Sequence, residues 1–405
     1  MNARQENVIL IIDEAHNLHR FSLHPESQSI SIELLKKAGE EAKTIDEELS
    51  FSLINLYEAL KQKEMKSDEE ILAKEIFECI DFSKCFHYGS TIQEEKLLKG
   101  ETPTSYLLAN SDFIELANRK NSIISMNIDR ILEAIELKRI EIFKKVYSSI
   151  SMSGTIKPFE AFIKIVDLPE NTLCIETPYP FPKENFKVLL TSDVSTKYKE
   201  RNEILLYKIY KIISSCFPLN FGGVLVAFPS YELLEDFNKY IEEKNYKFDA
   251  ECFIEKRWMS SIEINNVYHQ FIDKALTTKA YLLCVMGGRL SEGVDYIANS
   301  VKSVIVIGIP YAKPSEKTLE MLKYYEKIFG KNGKLYGYII PAIWTALQAS
   351  GRGIRSPEDT CLLIFADKRY KKLKKLLPTW INENIRILDI HKLEDEIDNS
   401  RMMLY

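Results

Sequence analysis

The chain has 405 residues, 45% of them hydrophobic and 28% charged, with a formal net charge of −5. That length can bury large cores and suits two or three domains. The slight acidity excludes a global nucleic-acid signature, so any such binding must use a local basic surface. No run of about 18 apolar residues occurs, so no membrane span is expected. The opening Met1–Asn7 lacks the basic-then-apolar form of a signal peptide, and a cytoplasmic protein is expected.

The first element is Val8-Ile9-Leu10-Ile11-Ile12, too short for a solitary helix and suited to a strand buried on both faces of a parallel sheet. Asp13 and Glu14 stand where the chain leaves it. A carboxylate pair at a strand end is the chemistry of a Walker-B element, in which an Asp holds Mg²⁺ on a nucleotide and the next acid polarises water. His16 completes the tetrapeptide Asp-Glu-Ala-His and shares an H-x-x-H spacing with His19. No neighbouring cysteine completes a metal site there. The seven cysteines form no C-x-x-C pair and are expected as reduced, mostly buried thiols.

Residues 31–147 are expected to be helical. Apolar residues fall at helical spacing in Ile32–Lys37, Leu53–Leu60, Glu69–Phe77 and Ile128–Ile135, with a break at Lys99–Pro103. A strand-like run, Val146–Met152, then precedes Ser153-Gly154-Thr155. That turn can hydrogen-bond a phosphate, a backbone group or an acid, and an isolated turn of this kind serves equally as a helix N-cap. From about residue 185 strands and helices alternate: Val188–Leu190, Tyr198–Cys216, Gly222–Phe228, Tyr231–Tyr240, Ala280–Val285, Val301–Ile309 and Cys361–Phe365. Such alternation predicts a doubly wound parallel sheet.

No stretch reads G-x-x-x-x-G-K-[ST]; Gly288 to Gly293 has the glycine spacing, but Val294-Asp295 follows. Gln348-Ala349-Ser350-Gly351-Arg352-Gly353-Ile354-Arg355 is the second strong signal. Two arginines three apart on a helix share one face, and paired arginines suit charge stabilisation on a γ-phosphate. Lys368–Lys372 with Lys374 and Lys375 is a dense basic run, either a solvated face or a contact with backbone phosphates.

Taken in order, DEAH, SGT, FPSY (Phe228–Tyr231), GGRLSEGVD and QASGRGIR resemble motifs II to VI of superfamily 2 helicases, and more narrowly the XPD/DinG branch. Gly308–Pro314, Asp367–Tyr370 and Leu377–Trp380 are also similar to that branch; a DEAH-type RNA helicase fits less well. The resemblance implies an α/β fold with RecA-like parallel sheets, one incomplete and one complete, and a helical arch insertion. The divisions it implies are a remnant of ATPase domain 1 over 1–40 and the arch over 41–125. A return to ATPase domain 1 follows over 126–165, and RecA-like domain 2 covers 166–405. It implies ATP and Mg²⁺ as cofactors, with Asp13 as metal ligand and Glu14 activating water. His16 and Ser153-Gly154-Thr155 would couple nucleotide state to DNA, and Glu292, Gly293 and Asp295 would lie at the nucleotide edge. Gln348, Arg352 and Arg355 would reach the phosphates, Arg355 as the finger.

Family members carry Walker A and four iron–sulfur cysteines upstream of the DEAH box, whereas twelve residues precede Asp13 here. The expectation is therefore the C-terminal portion of an ATP-dependent 5′–3′ DNA helicase, translocating on single-stranded DNA in repair. An upstream polypeptide would supply Walker A and the 4Fe–4S cluster. The alternative is a catalytically inactive nucleic-acid-binding or partner-docking relic. In the helical middle, Lys61, Lys63 and Lys66 beside Tyr57 are the candidate strand-facing groups, or simply exposed helix residues.

Overall fold

The computed structural model describes residues 5–18, 27–64, 69–136, 142–216, 221–297 and 300–404. The chain divides into two compact units, each assembled from three stretches of sequence. Unit 1 takes residues 1–152, 162–170 and 313–337; unit 2 takes 153–161, 171–312 and 338–405.

Unit 1 begins with β1 (Gln5–Ile12). The insertion that follows carries β2 (Ser27–Ser31), β3 (Glu69–Leu72), β4 (Ser122–Asn127) and β5 (Ile131–Glu136), and the chain returns in β6 (Val146–Ser151). β1 and β6 pair in parallel, as expected of strands at the edge of an α/β sheet. The expected burial of β1 on both faces is not found. Within the described residues its only sheet partner is β6, and Ile9 and Ile11 remain 58% and 62% exposed.

Helices Ile32–Ala42, Glu47–Gln62, Phe82–Leu98 and Tyr106–Asn118 form most of the insertion. Asp46, Asp81 and Ser105 cap three of them by accepting main-chain N–H groups of the first turn. Their apolar faces close on Leu35, Leu53, Leu60, Phe77 and Phe113. Two segments expected as helix are strands. Glu69–Leu72 is β3, leaving only Glu75–Glu78 as a helical turn, and the Ile128–Ile135 stretch contains β5. The reason is a hairpin: Arg130 sits at φ +61° in a turn whose Asn127 side chain accepts the Ile131 N–H, which fixes β5 antiparallel to β4. Strands β2-β5-β4-β3 thereby make an antiparallel sheet of their own. Helix Glu316–Phe329, from far along the chain, packs on β3 and β4, and its Lys317 Nζ lies 2.7 Å from Glu133 Oε2.

The described residues of unit 2 form a seven-stranded, wholly parallel sheet. In chain order its strands are β7 (Phe186–Thr191), β8 (Gly222–Phe228), β9 (Glu251–Ile254), β10 (Lys279–Val285), β11 (Val301–Ile307), β12 (Cys361–Ala366) and β13 (Ile385–Leu388). Their order across the sheet is β13-β7-β12-β11-β8-β10-β9. β8 and β11 are buried at every position, which is why Val224–Phe228 and Val304–Ile307 read as apolar runs. Helices Glu203–Ser215 and Tyr231–Glu243 cover one face through Ile209, Leu233 and Phe237. Helices Ser261–Thr277 and Ile340–Ser350 cover the other through Phe271, Ile343 and Leu347. This is the doubly wound arrangement, whose ligands bind at the carboxyl ends of the strands.

Candidate functional site

In unit 1, β1 hands the chain to a 3₁₀ turn, Ala15–Asn17, and the carboxylates stand at the junction. The strand pairing runs on past β1 and β6: Met152 N–H donates to the Ile12 carbonyl and Ala15 N–H to the Met152 carbonyl. This clamps the backbone on either side of Asp13 and Glu14 and leaves both side chains exposed. Glu14 adopts φ +49°, a left-handed conformation uncommon for a non-glycine residue. Asp13 Oδ1 accepts the Glu14 N–H at 2.8 Å. His16 is buried, with Nδ1 3.1 Å from Glu14 Oε2. His19 lies outside the described residues.

Ser153, Gly154 and Thr155 group with unit 2. The Ser153 hydroxyl accepts the Thr155 N–H at 3.2 Å, an ST turn. Thr155 Oγ1 in turn accepts from Gln348 Nε2 at 2.5 Å. Four residues back on the same helix, the buried Trp344 donates its indole N–H to the Lys157 carbonyl at 2.7 Å. Two motifs 193 residues apart in the chain are thus joined side chain to side chain.

The loop after β10 is held from beneath by one arginine. Arg352 is buried, and its guanidinium donates to the carbonyls of Ser291 (2.7 Å), Glu292 (2.6 Å) and Val294 (2.8 Å). Burial pulls its pKa below the ordinary guanidinium value. Gly293 N–H closes onto the Arg289 carbonyl, and the Asp295 side chain stands 93% exposed. Arg355 is the exposed member of the pair, with Nη2 3.2 Å from Asp295 Oδ1. The expected sharing of one helix face by the two arginines is not found. The helix stops at Ser350, Gly351–Gly353 is a 3₁₀ turn, and Ile354 is extended, so the side chains part. The loop and both arginines come together on the segment that leads into β12, where Gly353 lies against Cys361; Arg352 supports the loop and Arg355 faces outward.

Nothing in the sequence singles out Glu255, a buried acid beneath the same loop. Its only advance signal is a carboxylate directly after an apolar strand. Asp367 is also fully buried, its two oxygens accepting from Thr196 N–H, Thr196 Oγ1 and the Arg369 main chain and guanidinium. In unit 1, Tyr57 is 2% exposed and donates to Glu33 Oε1, so it offers no face for base stacking. Lys61 lies 5.3 Å from its ring centroid, Lys63 pairs with Glu70, and Lys66 lies outside the described residues. Among the described residues no group of three or more His, Cys, Asp or Glu side chains could hold a metal ion, and no helix is long and apolar enough to cross a membrane.

Residues 213–384 match the helicase C-terminal domain family, and residues 80–200 match the helical and beta-bridge domain. The ATP-dependent DNA helicase XPD of Sulfolobus acidocaldarius is 24% identical over 95% of this chain and 68% of its own length. The ATP-dependent DNA helicase chl-1 of Caenorhabditis elegans is 32% identical over 41% of this chain and 20% of its own. A solved XPD helicase structure superposes with a TM-score of 0.58 at 22% identity, covering 94% of this chain and 68% of that one. The chain thus carries a helicase C-terminal domain and a helical and beta-bridge domain, and in sequence and fold it is similar to XPD-type DNA helicases.

Proposed function

We propose that the chain is the motif-bearing part of an ATP-dependent DNA helicase that couples ATP hydrolysis to 5′–3′ movement on single-stranded DNA in repair. The observation that carries this reading is the division of labour in unit 2: Arg352 is spent on three loop carbonyls, while Arg355 is left at the surface beside Asp295. An exposed guanidinium on a rigid base is what stabilisation of a transferring phosphoryl group requires.

In unit 1, Asp13 and Glu14 suit Mg²⁺. That ion keeps several waters and takes only one or two protein carboxylates, which agrees with an exposed acid pair. Bound Mg²⁺ would neutralise phosphate charge. Asp13 would be its ligand, oriented by the Glu14 N–H on its other oxygen. Glu14 would accept the proton of the attacking water, with His16 holding its carboxylate. The Thr155–Gln348 bond would couple the SGT turn to the arginine-bearing segment.

The 405 residues contain no G-x-x-x-x-G-K-[ST], so the β- and γ-phosphates lack their usual cradle. That favours a second reading, a nucleic-acid-binding relic. DNA-stimulated ATP hydrolysis decides between them, measured on the chain alone and with a polypeptide supplying a P-loop. We expect negligible turnover alone and restored turnover with the P-loop, lost again in Glu14→Gln and lowered about a thousandfold or more in Arg355→Ala. Turnover that is absent under both conditions leaves the relic. Turnover by the chain alone that vanishes in Glu14→Gln overturns the need for a supplied P-loop.

A further inference from the structure

Three neighbouring strands of unit 2 deliver their ends to one buried carboxylate. Glu255 follows β9 and is 2% exposed. Its main-chain N–H donates to the Leu283 carbonyl of β10 at 2.8 Å. Its Oε2 accepts the Val285 N–H, at the end of β10, at 3.0 Å. Its Oε1 accepts the hydroxyl of Tyr231, which opens the helix after β8, at 2.9 Å. The turn out of β10 then closes directly over the acid. A Cβ at Gly288 would lie 2.7 and 3.0 Å from the two carboxylate oxygens and 2.8 Å from the Val285 carbonyl, so no larger residue fits without displacing the acid.

Gly288 is also where the helical turn Arg289–Glu292 begins, its carbonyl accepting from Glu292 N–H and the Ser291 hydroxyl. Arg289 extends back across the segment after β9, donating to Ser261 Oγ and to the Met259 carbonyl. The Arg257 guanidinium lies 5.5 Å from the Tyr231 ring. Burial raises the pKa of Glu255, and a buried acid is costly unless its lone pairs are satisfied. Here both oxygens are satisfied, and by different strand ends. An apolar side chain of the same size would fill the space but would leave Val285 N–H and Tyr231 unlatched.

We propose that Glu255 is the positioning residue of the Gly287–Asp295 loop, latching it to Tyr231 so that the strand ends after β8 and β10 move as one unit. Arg352 fixes the far end of that loop by its carbonyls; Glu255 fixes the near end by its entry from the strand. The functional part of this inference rests on the helicase reading, in which the loop senses bound nucleotide or DNA; the latch itself does not.

The test uses the full chain as Glu255→Leu, Glu255→Gln, Tyr231→Phe and the Glu255→Leu/Tyr231→Phe double variant. Amide exchange is followed in residues 286–295, with β8 and β11 as internal references, alongside the affinity of a fluorescein-labelled oligo-dT 20-mer. Glu255→Leu should speed exchange in 286–295 about tenfold while leaving β8 and β11 unchanged, since a hydrogen bond to a charged group is worth about that factor. Glu255→Gln, which keeps an acceptor for Val285 N–H, should recover much of the protection. The double variant should exchange no faster than Glu255→Leu, because the shared bond is already gone. Oligonucleotide affinity should fall in the same order as protection. Unchanged exchange in Glu255→Leu, additive rates in the double variant, or equal acceleration in β8 and β11 would each overturn the latch. Exchange that follows the latch while no variant binds the oligonucleotide differently from the unaltered chain overturns its functional part. If the unaltered chain itself fails to bind the oligonucleotide, the helicase reading is what fails, and the exchange data still judge the latch.

Discussion

At the residue scale the two arginines of the QASGRGIR segment carry different loads. Arg352 donates to three loop carbonyls, one of them on the buried Ser291, so Arg352→Ala removes three hydrogen bonds at once. We expect it to cost about 3 kcal/mol in urea unfolding, within the range for unsatisfied buried groups. Arg355 is half-exposed and makes one side-chain contact, to an acid that is itself in solvent; exposed pairs contribute little. Arg355→Ala should therefore leave the unfolding midpoint unmoved, and equal losses in the two variants would contradict this division. Only the family resemblance singled out Arg355; the spacing in the sequence placed both arginines on one helix face. It could not show otherwise, because the spacing argument assumes a helix that Gly351 and Gly353 bring to an end. Tyr57 teaches the same lesson in reverse. An aromatic at helical spacing beside lysines resembles a stacking platform, yet that spacing is also what places a side chain in the core.

At the element scale β7, β8, β10, β11 and β12 of unit 2 were legible because burial on both faces leaves runs of branched apolar residues with no competing period, whereas the four-residue edge strands β9 and β13 were not. The insertion was legible only as to its helices. Four- and six-residue strands such as β3 and β5 carry too few positions to separate period 2 from period 3.6. What fixes them is pairing: β3 with the distant β4, and β5 with the distant β2 and, across the Asn127–Arg130 turn, with β4. Close packing in that insertion gives a second prediction. Helices Phe82–Leu98 and Tyr106–Asn118 approach so nearly that a Cβ at Gly89 would lie 2.5 Å from Leu108 N and 2.8 Å from Leu108 Cβ. Gly89→Ala should destabilise unit 1 by about 2 kcal/mol, the usual cost of overpacking against backbone. The loss should show in urea unfolding and as faster amide exchange across 82–118. Gly154→Ala is the control, with nothing within 4 Å of its Cβ. An equal loss in both variants would mean that packing at Gly89 is not the cause.

At the scale of the whole molecule, the chain alternates between its two units, and residues 313–337 return to unit 1 long after unit 2 has begun. No periodicity or motif marks that return. It is decided by where helix Glu316–Phe329 finds an apolar surface and by the Lys317–Glu133 pair. The cysteines, by contrast, were legible from their spacing alone, and they report on both units at once. Cys85 lies in unit 1 and Cys252, Cys284 and Cys361 in unit 2, and none forms a disulfide. Burial pushes Cys85, Cys252 and Cys361 up to about 12 and raises Cys284 well above its usual value. In the unfolded chain these thiols ionise near their ordinary pKa of about 8.5. Because the folded values are raised, their contribution to stability is fully present below about pH 8.5 and is lost as pH climbs through about 12. The urea midpoint should accordingly fall steadily from pH 8.5 upward, and Cys361→Ala should flatten its share of that slope. At pH 8 a thiol reagent should modify Cys79 and Cys174, the two exposed cysteines, in its fast phase. Cys85, Cys284 and Cys361 should react only as fast as their unit opens. Fast modification of those buried thiols, or a urea midpoint level between pH 9 and 11, would show that the cores of both units admit water that the packing described here excludes.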